Sequence, residues 1–216
     1  GNTRGQVLGV FGGEHSFCLA HNGNVVNQKA LQRELNCERP FVSDTQLIVD
    51  LISCSPWTDF EDALIGVAKK LQGSFNLLLL FNDRVYALTD RFGFHPLALG
   101  RRGDDYIIAS ESCVFDHLDA KFMCDIKPGI LLTVSHNGIS EVEWGNARRL
   151  CVDIFEFVYF ARPDSVVWGV EVGSARRETG MILANEHPVF NADIVVPVPD
   201  SGKDAAWGYA NGMKRK

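Results

Sequence analysis

The chain has 216 residues, 46% of them hydrophobic and 22% charged, with a formal net charge of −6. That composition is globular, and the negative balance argues against a nucleic-acid partner. No apolar run is long enough to span a bilayer as a helix, and the six cysteines lack Cys-x-x-Cys spacing, which excludes the usual zinc signature. Reduced, buried thiols in a cytoplasmic protein are the expectation.

In chain order, residues 16–20 read as a strand leading into "AHNGN". Asn-Gly is a strong hairpin signal, and it recurs at Asn137-Gly138 between two alternating runs, where it reads as a two-residue hairpin. The first copy is followed by a helical pattern. Asn27 suits an N-cap, Val26 and Leu31 the two ends of a hydrophobic staple, and Leu31 and Leu35 one face. Residues 21–24 are therefore expected to connect a strand to a helix, offering an Asn amide and a Gly N–H at the strand's end. Such groups suit an oxyanion hole or a plain structural turn.

Ser43 and Gln46 have capping-box spacing, followed by Leu47, Ile48, Leu51 and Ile52 on one helical face. Thr58 and Glu61 repeat the spacing for a helix to about residue 71, which Gly73 is placed to end. Strands are predicted at 75–81 and 84–89 around Asn82-Asp83, then at 96–100 and 106–110. A helical turn at 113–118 precedes the second Asn-Gly hairpin. The pattern is α+β, with helices layered on antiparallel strands. Beyond Arg162-Pro163-Asp164 the style changes. A helix at 172–186 precedes the apolar run 193–199, which suits a buried parallel strand, and Ser201-Gly202 leads into an Ala-rich helix. On this evidence residues 1–158 form one domain and residues 159–216 begin another, of α/β type.

Together, "LAHNGNVVN" (19–27), "SDTQ" (43–46), "LQGSFNLLLL" (71–80), "DRFGFHPLALG" (90–100), "ASESCVFD" (109–116), "DIKPG" (125–129), "FEFVYFARPDS" (155–165) and "VVPVPDSG" (195–202) resemble glutamine phosphoribosylpyrophosphate amidotransferase. The first three, with "GFHPL", are shared in outline by other N-terminal-nucleophile amidotransferases, whereas the last two are particular to this family. The resemblance implies αββα glutaminase layers, incomplete here, followed by the start of a type I phosphoribosyltransferase domain. It implies that an N-terminal Cys attacks glutamine and that the ammonia displaces pyrophosphate from phosphoribosyl pyrophosphate, in the first step of de novo purine synthesis.

By the same resemblance, Asn22 and Gly23 form the oxyanion hole, Asp44 holds the substrate α-ammonium, and Ser201 contacts the Mg²⁺ of the pyrophosphate substrate. A first-turn acid and a helix N-cap are the structural readings of Asp44 and Ser201. His21 is read as scaffold and Cys18 as core. Some members of the family carry an iron–sulfur cluster, with one ligand three residues before the Glu of "FEFVYF". That position is Asp153 here, so no cluster is expected. Residue 1 is Gly, so the sequence reads as a fragment lacking both its nucleophile and its phosphoribosyl-binding loop, inactive alone, from a cytoplasmic homo-oligomer. The alternatives are a non-catalytic relative serving as a binding or regulatory module, and the glutaminase domain of another amidotransferase.

Overall fold

The computed structural model describes residues 7–10, 16–35, 43–56, 58–146 and 149–214; Cys37 lies outside them. In chain order the elements begin with β1 (Val7–Val10), β2 (Phe17–Val25), α1 (Gln28–Glu34), α2 (Asp44–Cys54) and α3 (Phe60–Lys70). There follow β3 (Gly73–Phe81), β4 (Arg84–Thr89), β5 (Ala98–Arg102), β6 (Asp105–Ala109), α4 (Cys113–His117) and β7 (Lys121–Asp125). The remainder are β8 (Ile130–Ser135), β9 (Gly138–Glu143), a π-helical turn (Glu156–Phe160), β10 (Val166–Val167), β11 (Val170–Glu171), α5 (Val172–Glu186) and α6 (Gly202–Lys214). They fall into two compact units, residues 1–97 with 126–152, and residues 98–125 with 153–216.

The first unit is a six-stranded antiparallel sheet, ordered β1-β2-β3-β4-β8-β9, with helices on one face. Period-2 alternation puts Phe17, Leu19, Leu77, Leu79, Tyr86, Leu88 and Leu131 on that face. They form one core with Leu47, Ile48, Leu51 and Ile52 of α2 and Phe60, Leu64 and Val67 of α3. The Phe60 ring lies 4.3 Å from Phe81 and 5.0 Å from Tyr86, centroid to centroid. Each such buried side chain contributes about 1.5–3 kcal/mol.

Helix α2 starts as expected, the Ser43 hydroxyl accepting from Gln46 N at 3.2 Å. Three expected local devices are redirected. The α3 N-cap is Asp59 rather than Thr58, and Glu61 accepts from the Thr133 hydroxyl of β8 at 2.9 Å. Val26 is exposed while Leu31 is buried, so no staple forms. Asn27 stands at the N-cap of α1 without capping it. Its side chain donates to Lys70 O at 2.9 Å and accepts from Gln72 N at 3.0 Å, joining the start of α1 to the end of α3.

"AHNGN" is strand, not a strand-to-helix connection. The β2–β3 register runs unbroken from Cys18↔Leu80 to Val25↔Gly73, and the chain leaves the sheet only at Val26. Nine residues of β3 are available as partner, and cross-strand pairing outweighs the local turn propensity of Asn-Gly. The Asn82-Asp83 hairpin forms as expected, whereas the second turn is shifted by one residue, from Asn137-Gly138 to His136-Asn137. Asn82 and Asp83 both take positive φ, 46° and 58°, as a type I′ turn requires, and β8 pairs β9 across His136 and Asn137.

In the second unit a three-stranded sheet, β6-β5-β7, stands with α4, the β10–β11 hairpin, and α5 packed on α6. Helices α5 and α6 touch backbone to backbone. A Cβ on Gly180 would lie 2.0 Å from Ala205 O, and one on Gly208 1.9 Å from Arg177 O. The Arg177 guanidinium closes on Asp204 at 2.8 Å. The buried parallel strand expected at 193–199 does not form. Ile194, Val196 and Val198 are 75%, 73% and 80% exposed. A parallel strand needs a hydrogen-bonded neighbour and apolar cover, and among the described residues this segment has neither.

Candidate glutaminase site

Gly23 and Asp44 both lie at one end of β2, and Asn22 precedes Gly23 on that strand. In an antiparallel strand, successive residues direct their N–H and C=O groups to opposite edges. Asn24 N–H goes to the Ser74 hydroxyl of β3 at 3.2 Å, whereas Val25 N–H goes away from β3, to Asp44 Oδ2 at 3.2 Å. Gly23, two residues before Val25 in an unbroken register, therefore also points away from β3. On that side β1 pairs β2 only as far as Ala20. Among the described residues the Gly23 N–H thus lies on a strand edge that no strand covers. Only glycine fits there. Its φ is +152°, and a Cβ would come 2.1 Å from Ser74 O.

Asp44 sits in the first turn of α2, where the helix dipole favours an acid. Its carboxylate bridges Val25 N and Thr45 N, at 3.2 and 2.9 Å. An ionised carboxylate accepts at about four sites, so both oxygens retain capacity for an ammonium. Asn22 is exposed on the face opposite the helices, paired to Asn76 through the β2–β3 ladder.

His21 is buried on the helix-facing side. Its Nδ1 lies 3.2 Å from the Thr45 hydroxyl and 3.7 Å from Asp44 Oδ1. Burial lowers its pKa below the ordinary value; Asp44 opposes this and His95 adds to it. The ring is therefore neutral near pH 7 and locks α2 against β2, the scaffold role expected of it. Cys18 is partly buried within β2.

Asn76 and Asp90 were not singled out in the sequence. Asp90 is buried and accepts from Phe92 N, Gly93 N and Phe75 N at 2.7, 2.8 and 3.2 Å, tying the 91–96 loop to β3. Burial raises its pKa, and these backbone donors oppose the shift. Asn76 faces Asn22 across the β2–β3 pair. A polar residue inside "GSFNLLLL" was the available signal, but its partner depends on register.

Ser201 belongs to the other compact unit, half-buried just before α6. The neighbouring Asp200 carboxylate is paired with Lys203 at 2.6 Å. Among the described residues no three His, Cys, Asp or Glu converge as metal ligands. No described helix is long and apolar enough to cross a membrane.

Residues 10–117 match the glutamine amidotransferase domain family. Amidophosphoribosyltransferase of Archaeoglobus fulgidus is 43% identical over 199 residues, covering 90% of this chain and 43% of the relative. The Methanocaldococcus jannaschii protein of that name is 39% identical over 215 residues, covering 90% of this chain and 45% of the relative. Among solved structures, glutamine phosphoribosylpyrophosphate amidotransferase from B. subtilis, complexed with ADP and GMP, superposes with a TM-score of 0.90 at 34% identity. It covers 96% of this chain and 46% of that one. A structure described as the allosteric regulatory enzyme of purine biosynthesis gives 0.85, also at 34% identity, over 92% of this chain and 43% of that one. The chain spans less than half the length of either curated relative. The chain belongs to the glutamine amidotransferase family, and its similarity to amidophosphoribosyltransferases extends over 90% of its length.

Proposed function

We propose that the full-length protein hydrolyses glutamine and delivers the ammonia to phosphoribosyl pyrophosphate, giving 5-phosphoribosylamine, glutamate and pyrophosphate. The observation that supports it is that β2 carries Asn22 and Gly23 within three residues of Val25, whose N–H donates to the Asp44 carboxylate. The nucleophile in this reading is an N-terminal cysteine whose α-amino group takes the thiol proton. The thiolate adds to the side-chain amide carbon, and the carbonyl oxygen becomes an oxyanion held by Asn22 Nδ2–H and Gly23 N–H. Collapse passes the proton from the α-ammonium to the leaving nitrogen, releases ammonia and leaves a thioester, which water hydrolyses to glutamate and the free thiol. Each such donor is worth about 3–4 kcal/mol to the transition state. Asp44 binds the α-ammonium, a charge present before and during reaction.

We assign residues 1–158 to the glutaminase domain and residues 159–216 to the start of the phosphoribosyltransferase domain, on the change of sequence style after Arg162. Ser201 would meet the Mg²⁺ that arrives with the pyrophosphate substrate. A cytoplasmic location and a homo-oligomeric enzyme come with the family resemblance.

The test separates the two roles in full-length protein. Asn22→Ala should lower kcat and leave KM for glutamine nearly unchanged, because the charge it meets forms only in the transition state. Asp44→Asn should mostly raise KM, by roughly ten- to a hundredfold for a charged contact of about 1.5–3 kcal/mol. Unchanged kinetics in both variants, with lowered melting temperatures, would make the site structural. Absence of glutaminase activity in the parent protein would favour a non-catalytic relative.

A further inference from the structure

Asn76 carries a feature that a β-strand does not need. It is 3% exposed, on the same face of β3 as Leu78 and Leu80. Its Nδ2 donates to two backbone carbonyls, His95 O at 3.1 Å and Pro96 O at 3.0 Å. Carbonyls only accept, so these contacts fix which way the amide is turned. They leave Oδ1 as a buried acceptor without a hydrogen-bond partner among the described residues. Thr89, the cross-strand neighbour on β4, does not supply one. Its hydroxyl donates to Lys127 O at 2.8 Å and accepts from Ile130 N at 3.2 Å. The neighbour on the other side is Asn22, Cα partner of Asn76 across β2–β3 and on the same face. Directly opposed residues hold their Cβ atoms about 4.5–5.5 Å apart, within reach of two Asn amides.

We propose that Asn76 is a positioning residue for Asn22: after a side-chain rotation of Asn22, Asn76 Oδ1 accepts one Nδ2 proton and leaves the other aimed at the forming oxyanion. An Asn without such a neighbour is free to turn its own carbonyl oxygen toward that negative charge, which repels it. Asn76 thereby decides which end of Asn22 faces the substrate. The inference rests on the glutaminase reading above, and two independent readouts keep their failures apart.

In full-length protein, Asn76→Leu and the smaller, still polar Asn76→Ser should each lower kcat about tenfold and change KM for glutamine less than twofold. Added to Asn22→Ala, either should lower kcat no further, since a positioning residue acts only through its target. Independently of turnover, the Asn22 side-chain amide resonances should shift in both Asn76 variants. Additive losses, unchanged kcat per folded molecule, or unmoved Asn22 amide signals would each overturn the proposal. A parent protein without activity whose Asn22 signals still respond would refute the glutaminase reading and leave the Asn22–Asn76 contact standing.

Discussion

Gly23 combines two constraints that a side chain cannot meet together. Its φ of +152° disfavours L-residues, and the Cβ position lies 2.1 Å from a carbonyl of β3 that cannot retreat without breaking the sheet. Gly23→Ala should destabilise the protein by at least about 1–3 kcal/mol, the usual cost of such backbone strain. Denaturant titration checks this, and an unshifted midpoint would contradict the placement. His21 makes a second residue-scale prediction. Its folded pKa is lowered by burial, so the unfolded chain binds the proton more readily. Stability should then be lost as pH falls below the unfolded value of about 6.5, at up to about 1.4 kcal/mol per pH unit, until folded His21 itself titrates. His21→Gln should flatten that part of the stability–pH profile; parallel wild-type and variant curves would show that another group is responsible.

At the scale of elements, local signals named α2, α3 and the β3–β4 pair but not always the right contacts. Asn27 illustrates this. Helix-start logic made it a cap for α1, whereas its amide bridges Lys70 O and Gln72 N at the end of α3. A cap reaches a few residues along the chain, while this contact joins residues more than forty apart, which no local pattern encodes. Asn27→Ala should cost about 1 kcal/mol, as for a lost hydrogen-bonded pair, and hydrogen exchange at Gln72 should speed up. Gly66 in α3 is the converse case. Nothing lies within 4 Å of its Cβ position, so Gly66→Ala should stabilise the protein by roughly 0.8–1 kcal/mol through helix propensity alone. A loss of stability would mean that α3 packs more tightly there than its geometry shows.

For the whole molecule, the first unit buries one continuous core under α2 and α3, whereas the second exposes Ile194, Val196 and Val198 together. Exposed apolar runs of this kind bind hydrophobic probes and promote association. The 216-residue chain should therefore enhance the fluorescence of an apolar dye such as ANS. Ile194→Ser, Val196→Ser and Val198→Ser in combination should reduce that signal with little change in melting temperature. Equal dye binding by parent and variant would place the exposed surface elsewhere. Alternation and apolarity are local properties of the run, but a strand exists only when neighbours supply hydrogen bonds, and the described residues supply none here.

The sequence alone determined the elements with strong periodicity or strict turn chemistry. These include α2 with its Ser43 cap, the Asn82-Asp83 hairpin, and the pairing of β8 with β9. The ordered motifs likewise sufficed to place the chain in its family and to nominate Asn22, Gly23 and Asp44. Such signals act over a few residues and survive without knowledge of neighbours. Tertiary structure decided whatever depends on register and edge. It turned "AHNGN" from a connection into strand, directed Gly23 N–H away from β3, and set Asn76 opposite Asn22. The physical reason is that pairing energy accumulates along nine residues of β3, so it outweighs the preference of one Asn-Gly step and fixes every residue's face at once.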